Sequence, residues 1–280
     1  MLALVKPAAL ACLVALLVCA AAGGATARHV VETATNANVE ATFSYDYDAR
    51  KFEFSNVHLT IRRGGAVLVD GPVRPLASYA AVDPAPMGNR KKAIDVRNLD
   101  RDPEPEVVLD LYSGGAHCCW YTQVFRYIAS ANTYLMLVHS WGNATYRPAD
   151  LNHDGLREFV SADDRFAYEF TAFAGSTFPV QIWRYRLGRF VDVTRKFPRV
   201  IRRDARRQWH WALDTNTRRL NVGSLASWTA DECLLRHCRF AFRRLEVLRR
   251  EHRIGRGWDA TPRKFLRHLR RFLRRTGYLR

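Results

Sequence analysis

Apolar and polar residues alternate in short runs over residues 38–194, and from residue 195 onward apolar residues recur at intervals of three and four. Period two marks strands with one buried face, and period 3.6 marks amphipathic helices. Asn38–Tyr47 and Lys51–Arg63 are rich in β-branched and aromatic residues, as in FEFSNVHLTI. Gly64-Gly65 is a hairpin signal and AVLVDGPV follows it, which predicts a small antiparallel meander. Further strands are predicted over Glu106–Tyr112, Tyr121–Tyr127, Tyr134–Trp141, Glu158–Ser161, Val180–Tyr185 and Phe190–Thr194. Beyond them Val200, Ile201, Ala205, Trp209 and Leu213 share one helical face. Ser224 is placed to cap a second helix through SLASWTADECLL, and a third is predicted over Phe240–Arg250. Thr261 then Pro262 reads as an N-cap with proline at the first helical position, opening a fourth helix that runs to Arg275 before Gly277. The expected fold class is α+β: a β-rich part over 28–195, then a small all-α part over 196–280.

Charge follows the same division. Residues 28–194 hold 18 Lys and Arg against 20 Asp and Glu, a net of −2, whereas residues 195–280 hold 25 against 7, a net of +18. With 48% hydrophobic residues the composition is that of a folded chain, not a disordered one. Residues 1–27 stand outside both parts. Lys6, the uncharged run from Ala8 to Ala22 and Ala25-Thr26-Ala27 have the layout of a secretory signal with cleavage after Ala27. The run falls short of the roughly 20 apolar residues of a membrane span. Cys19 would suit a lipoprotein, but Val18 before it is branched where such sites take a small residue, so lipidation is not expected. The mature protein is expected to be secreted or extracytoplasmic.

Within the β-rich part a nine-residue pattern recurs 52 positions apart: NLDRDPEPE over 98–106 and DLNHDGLRE over 150–158. Each is later followed by a matching signature, Gln123-Val-Phe-Arg-Tyr127 and Gln181-Ile-Trp-Arg-Tyr185. The second copy has the layout of a calcium loop. Asp150, Asn152, Asp154 and Glu158 offer side-chain oxygens, Gly155 permits a sharp turn, and the carbonyl of Leu156 can turn inward. Ca²⁺ takes about 6–8 oxygen ligands, which these residues and water can supply. The first copy is weaker, with Asn98 in place of an acid and Pro103 in place of the glycine, although Asp100, Asp102 and Glu106 remain. An acidic turn between strands is the alternative in each case. The two loops resemble the calcium loops of FG-GAP/VCBS-type repeats, the blades of integrin-α-like propellers. That resemblance implies structural ions and a surface that binds partners. A closed propeller needs about 4–8 blades, so two repeats and a meander imply an open stack. The strings DLYSGGAHCC, SADDRFAYEF and RRFLRRTGY also resemble uncharacterised secreted proteins of high-GC actinobacteria.

After export four cysteines remain, an even number for an oxidising compartment. Cys118 with Cys119 and Cys233 with Cys238 are the expected pairs. The second needs a helix break near Arg236-His237, since five residues of unbroken helix are too far apart to bridge. The alternative connectivities tie the β-rich part to the helical part. No catalytic motif is found: G-x-S-x-G, H-E-x-x-H and a phosphate-binding glycine loop are all missing from the sequence. Asp163 and Asp164, adjacent on a strand, should point apart. The leading reading is a binding or structural module without a catalytic site. A hydrolase would require Asp110, His117, His139 and Asp163 to converge. A third reading makes the last helix a polyanion or anionic-lipid binder, with Arg263, Lys264, Arg267, Arg270, Arg271, Arg274 and Arg275 around the stripe Phe265, Leu266, Leu269, Phe272 and Leu273. That stripe can equally dock on the core. No nucleic-acid motif is present.

Overall fold

The structure, a computed structural model, describes residues 27–77, 80–213 and 218–279. The expected signal segment lies, apart from Ala27, outside the described residues. No described helix is long and apolar enough to cross a membrane.

Among the described residues thirteen strands form three antiparallel sheets, none closed, followed by four α-helices. The first sheet is the meander β1 (Arg28–Asn36), β2 (Val39–Asp48), β3 (Glu53–Arg63) and β4 (Ala66–Pro72). In the second, β7 (Glu106–Gly115), β8 (Cys118–Ile128) and β9 (Thr133–Gly142) follow in order. Two short strands, β5 (Asp83–Pro84) and β6 (Ile94–Arg97), share the outer edge of β7. The third runs β10 (Arg147–Ala149), β11 (Glu158–Ala162), β12 (Val180–Arg186) and β13 (Arg189–Asp192).

Stacking explains why β7 is buried continuously from Glu106 to Leu111. Its two faces pack against different sheets, so alternation disappears from its sequence. Val107, Leu109 and Leu111 join Val39, Phe43, Leu59 and Ile61 of the meander in one core. Val108 turns the other way, with Val124, Trp141 and Tyr146, onto Phe159 and Tyr185 of the third sheet.

The second and third sheets are built alike. Arg97 pairs with Glu106 as Ala149 pairs with Glu158. Leu109 pairs with Gln123 as Ser161 pairs with Gln181, and Val107 with Phe125 as Phe159 with Trp183. Tyr127 then faces Tyr134 as Tyr185 faces Phe190. In both, a short strand leads through an acidic loop into a hairpin.

The helices are α1 (Pro198–Leu213), α2 (Val222–Leu234), α3 (Cys238–Arg250) and α4 (Pro262–Arg275). Their core includes Phe166 and Phe170 from the segment joining β11 to β12. The α4 stripe is docked: Phe265, Leu269, Phe272 and Leu273 are buried and Leu266 packs against them. All seven basic residues of α4 are exposed. Thr261 caps this helix, accepting from the Lys264 N–H at 3.3 Å. The helical path breaks at Arg236, left-handed with φ 67°, and Cys233 is joined to Cys238 across that break. Cys118 and Cys119 pair with each other at the tip of the β7–β8 hairpin.

Several details differ from the sequence reading. β1 was not expected, because an edge strand with one face in solvent has few apolar residues to mark it. The cap of α2 is Asn221, whose side chain accepts from the Ser224 N–H at 2.9 Å; Ser224 itself lies inside the helix. The buried face of α1 holds Ile201, Asp204, Ala205, Gln208 and Ala212, with Leu213 exposed. Two polar side chains therefore occupy positions that a hydrophobic pattern leaves out. Asp204 accepts from the Val180 N–H at 2.9 Å, and Gln208 donates to the Phe178 carbonyl at 2.8 Å, so both tie α1 to the start of β12.

Candidate metal centre

The two acidic loops join β6 to β7 and β10 to β11, and the same contacts shape both. The glutamate opening the following strand turns back and accepts from a backbone N–H of its own loop, Leu99 to Glu106 and Leu151 to Glu158, at 2.9 Å each. Arg101 and His153 both take the left-handed conformation. Asp102 accepts from the Glu104 N–H and Asp154 from the Leu156 N–H, again at 2.9 Å each. Asn98 stands in for an acid by accepting from the Asp100 and Arg101 N–H groups at 3.2 and 2.6 Å. Asp150 accepts from Asp154 and Gly155 at 3.1 and 3.0 Å.

The loops differ in what their arginine does. Arg184 of β12 lies among the carboxylates of the second loop. It is ion-paired with Glu158, which is fully buried, is 3.0 Å from Asp154 and is 3.5 Å from Asn152. A cation entering that loop has to displace this guanidinium. Arg126, its counterpart on β8, reaches only Asp102, at 2.9 Å. Glu106 is 1% exposed, and its Oε1 has no hydrogen-bond partner. Carboxylate oxygens of Asp100, Asp102 and Glu106 all lie within 4.8 Å of one another. Leu187, in the β12–β13 turn, closes the first loop by donating its N–H to Asp100 at 2.7 Å. Burial pushes the Glu106 carboxyl up to about 8; the Leu99 N–H opposes this, and the charges of Asp100 and Asp102 add to it. Tyr185 beside it is raised by burial and by Glu106, and its hydroxyl is unpartnered. Three acidic oxygens, one of them buried and unsatisfied, make a donor set for a hard divalent cation.

The titratable groups singled out for a hydrolase have separate partners. Asp110, with Thr122 beside it on β8 and His139 beyond on β9, shares one face of the second sheet. Asp110 is fully buried and accepts from Thr122 at 2.7 Å and from Tyr146 at 3.0 Å, and it is ion-paired with Arg90. His117 is exposed at the hairpin tip, 4.4 Å from the Phe173 ring. Asp163 is held by the Arg165 guanidinium and by the Tyr278 hydroxyl at 2.7 Å. Asp164 turns away and accepts from the backbone and side-chain nitrogens of Asn143 at 2.8 and 2.6 Å. It lies against Gly142, where a Cβ would overlap its carboxylate.

His139 sits in an aromatic box, 4.3 Å from Phe190, 4.2 Å from Trp141 and 4.8 Å from Trp183. Burial lowers its pKa from 6.5 to about 4. The folded ring is neutral where the unfolded ring takes a proton, so this residue costs stability as pH falls from 6.5 toward about 4. His139→Phe should flatten that part of a denaturation-midpoint profile. An unchanged slope between pH 6.5 and 4 would assign the loss to other groups.

Sequence reasoning did not assign roles to Arg126, Arg184 or Arg90. The repeated Q-x-x-R-Y signature was the signal for the first two, because it puts an arginine at the same place in each sheet. Nothing in the pattern marked the buried carboxyls of Asp204 and Asp231 between α1 and α2. Asp231 is fully buried, and burial followed by the Asp204 charge raises its pKa well above the carboxylate range.

No family model matches the chain, and no solved structure matches it. Among curated proteins it is similar to one from Synechocystis named as a probable thylakoid lumen protein. The two are 40% identical over 103 residues, which is 36% of this chain and 30% of that protein. It is also similar to an uncharacterized protein of Sinorhizobium fredii, 26% identical over 183 residues, covering 63% of this chain and 27% of the relative. The chain thus spans less than a third of the length of either relative.

Proposed function

We propose that this chain is an extracytoplasmic binding or structural module of FG-GAP/VCBS-like blades, stiffened by calcium at Asp100, Asp102 and Glu106. The observation that carries the reading is the unsatisfied, buried Glu106 oxygen beside two further carboxylates. Left alone, such a group is costly to bury; a divalent cation turns the same three oxygens into ligands. The matched registers of the second and third sheets support the repeat. The export-type segment and a relative named for the thylakoid lumen support the location.

Thermal melting with chelator and with calcium tests the metal. An ion that binds only the folded loop stabilises by mass action, about 2.7 kcal/mol at a hundred times its Kd. In a chain of this size that is a rise in Tm of roughly 5–10 °C. Glu106→Gln should remove most of the rise and Asp102→Asn a large part of it. Identical melting curves in chelator and in saturating calcium would refute the calcium reading.

A further inference from the structure

α3 and α4 leave between them an open groove of about 750 Å³. Arg239 and Arg243 line one wall and Arg270 and Arg274 the other. Each pair is four residues apart on its helix, so its members are stacked one turn apart, about 6 Å along the axis. Phe242 and Leu279 form the apolar part of the lining, and the Arg270 guanidinium lies 4.6 Å from the Phe242 ring.

Five arginines of the helical part are ion-paired. Arg207 is tied to Asp204, Arg249 and Arg250 to Glu246, Arg253 to Glu251 and Arg275 to Glu169. None of the four groove arginines has an ion-pair partner among the described residues, and all four are exposed. The carboxylate at the groove, Glu246, is engaged by Arg249 at 2.6 Å. The groove is therefore a concave array of four uncompensated guanidiniums in a segment of net charge +18. Guanidinium forks match phosphate oxygens two at a time.

Two exposed apolar side chains argue for a lipid rather than a soluble anion. On α3, Phe240 and Val247 are 51% and 41% exposed. They are seven residues apart, so they share a strip of the helix surface beside the arginine wall. A phosphate polymer in water gives them no contact, whereas an anionic bilayer offers phosphates to the groove and acyl chains to the strip.

We infer that the α3–α4 groove binds the headgroup phosphate of an anionic lipid, seating the helical part on a membrane surface. This goes beyond the calcium reading and does not depend on it. The α4 stripe is not the inserting face, because it is buried in the core.

The test is co-sedimentation of the full chain with phosphatidylcholine vesicles, with and without phosphatidylglycerol. Binding is expected only where phosphatidylglycerol is present. Arg243→Gln with Arg274→Gln should weaken it roughly 30-fold, on the scale of one surface cation each. A control removes two exposed arginines of α1, Arg202→Gln with Arg206→Gln, and should change binding less than about threefold. Phe240→Ser should weaken vesicle binding while leaving retention of inorganic polyphosphate unchanged. Equal losses in the groove and control variants would mean diffuse attraction and overturn the site. Polyphosphate binding as strong as vesicle binding, with Phe240→Ser inert in both, would overturn the lipid in favour of a soluble polyanion. All variants alter exposed side chains, and their melting curves should match that of the parent.

Discussion

Ending the chain at Ala260 should abolish cooperative folding of the helical part. The deletion removes Phe265, Leu269, Phe272, Leu273 and Tyr278, each of them buried. Phe272 lies edge-on to Phe166 at 4.8 Å and to Phe170 at 5.3 Å, so both rings lose a wall. Asp163, 2% exposed, loses the Tyr278 hydroxyl and keeps only its arginine. Truncating one such side chain to alanine typically costs about 2–5 kcal/mol. Losing five together, about 10–25 kcal/mol, matches or surpasses the roughly 5–15 kcal/mol by which a domain is stable. Leu269→Ala, with no exposure to begin with, is the milder form, at about 3 kcal/mol. Far-UV circular dichroism followed through thermal melting checks both. A truncated chain that melts as sharply and as high as the full one would show the α4 stripe to be dispensable.

Arg90→Met should destabilise the stack of sheets by about 3–5 kcal/mol, the usual cost of leaving a buried charge without its partner. Asp110 is fully buried between the second and third sheets, and Arg90 is the cation that meets it. Thr122 and Tyr146 remain as donors, and the Trp141 indole holds Thr122 at 2.8 Å. Those neutral donors do not replace a positive charge. Adding Asp110→Asn should recover much of the loss, because the amide leaves no charge to compensate. Chemical denaturation of the two single variants and the double variant forms the cycle. If the losses simply add, Arg90 and Asp110 act independently and the pair is not what holds this region.

Periodicity located the strands with one wet face and the helices with one dry stripe. It was silent on β1, whose exposed face carries little pattern, and on β5 and β6, two and four residues long. β7 was found as a run of apolar residues, but the reason for the run is sheet packing on both sides, which no local pattern states. The break at Arg236 was readable because Cys233 and Cys238 require it. Asn221 does not stand out as the cap because Ser224, three residues on, is an equally good capping type. In the candidate site the loop acids were legible as a motif. Which loop keeps an unsatisfied oxygen was not, since it depends on how far Arg126 and Arg184 reach across their strands. A sequence places an arginine on a face and leaves its choice among three carboxylates to packing.

Arg184 has one further consequence. As a tethered cation it is held beside Asp154 and Glu158 at a high effective concentration. A calcium ion arriving at the second loop is therefore a competitor, and its apparent affinity is reduced by the fraction of time the guanidinium is away. The third sheet carries its own counter-charge in covalent form. In the second sheet Arg126 leaves Glu106 uncompensated. The two sheets share a register yet differ in charge balance: the buried glutamate of the third meets an arginine, and that of the second does not.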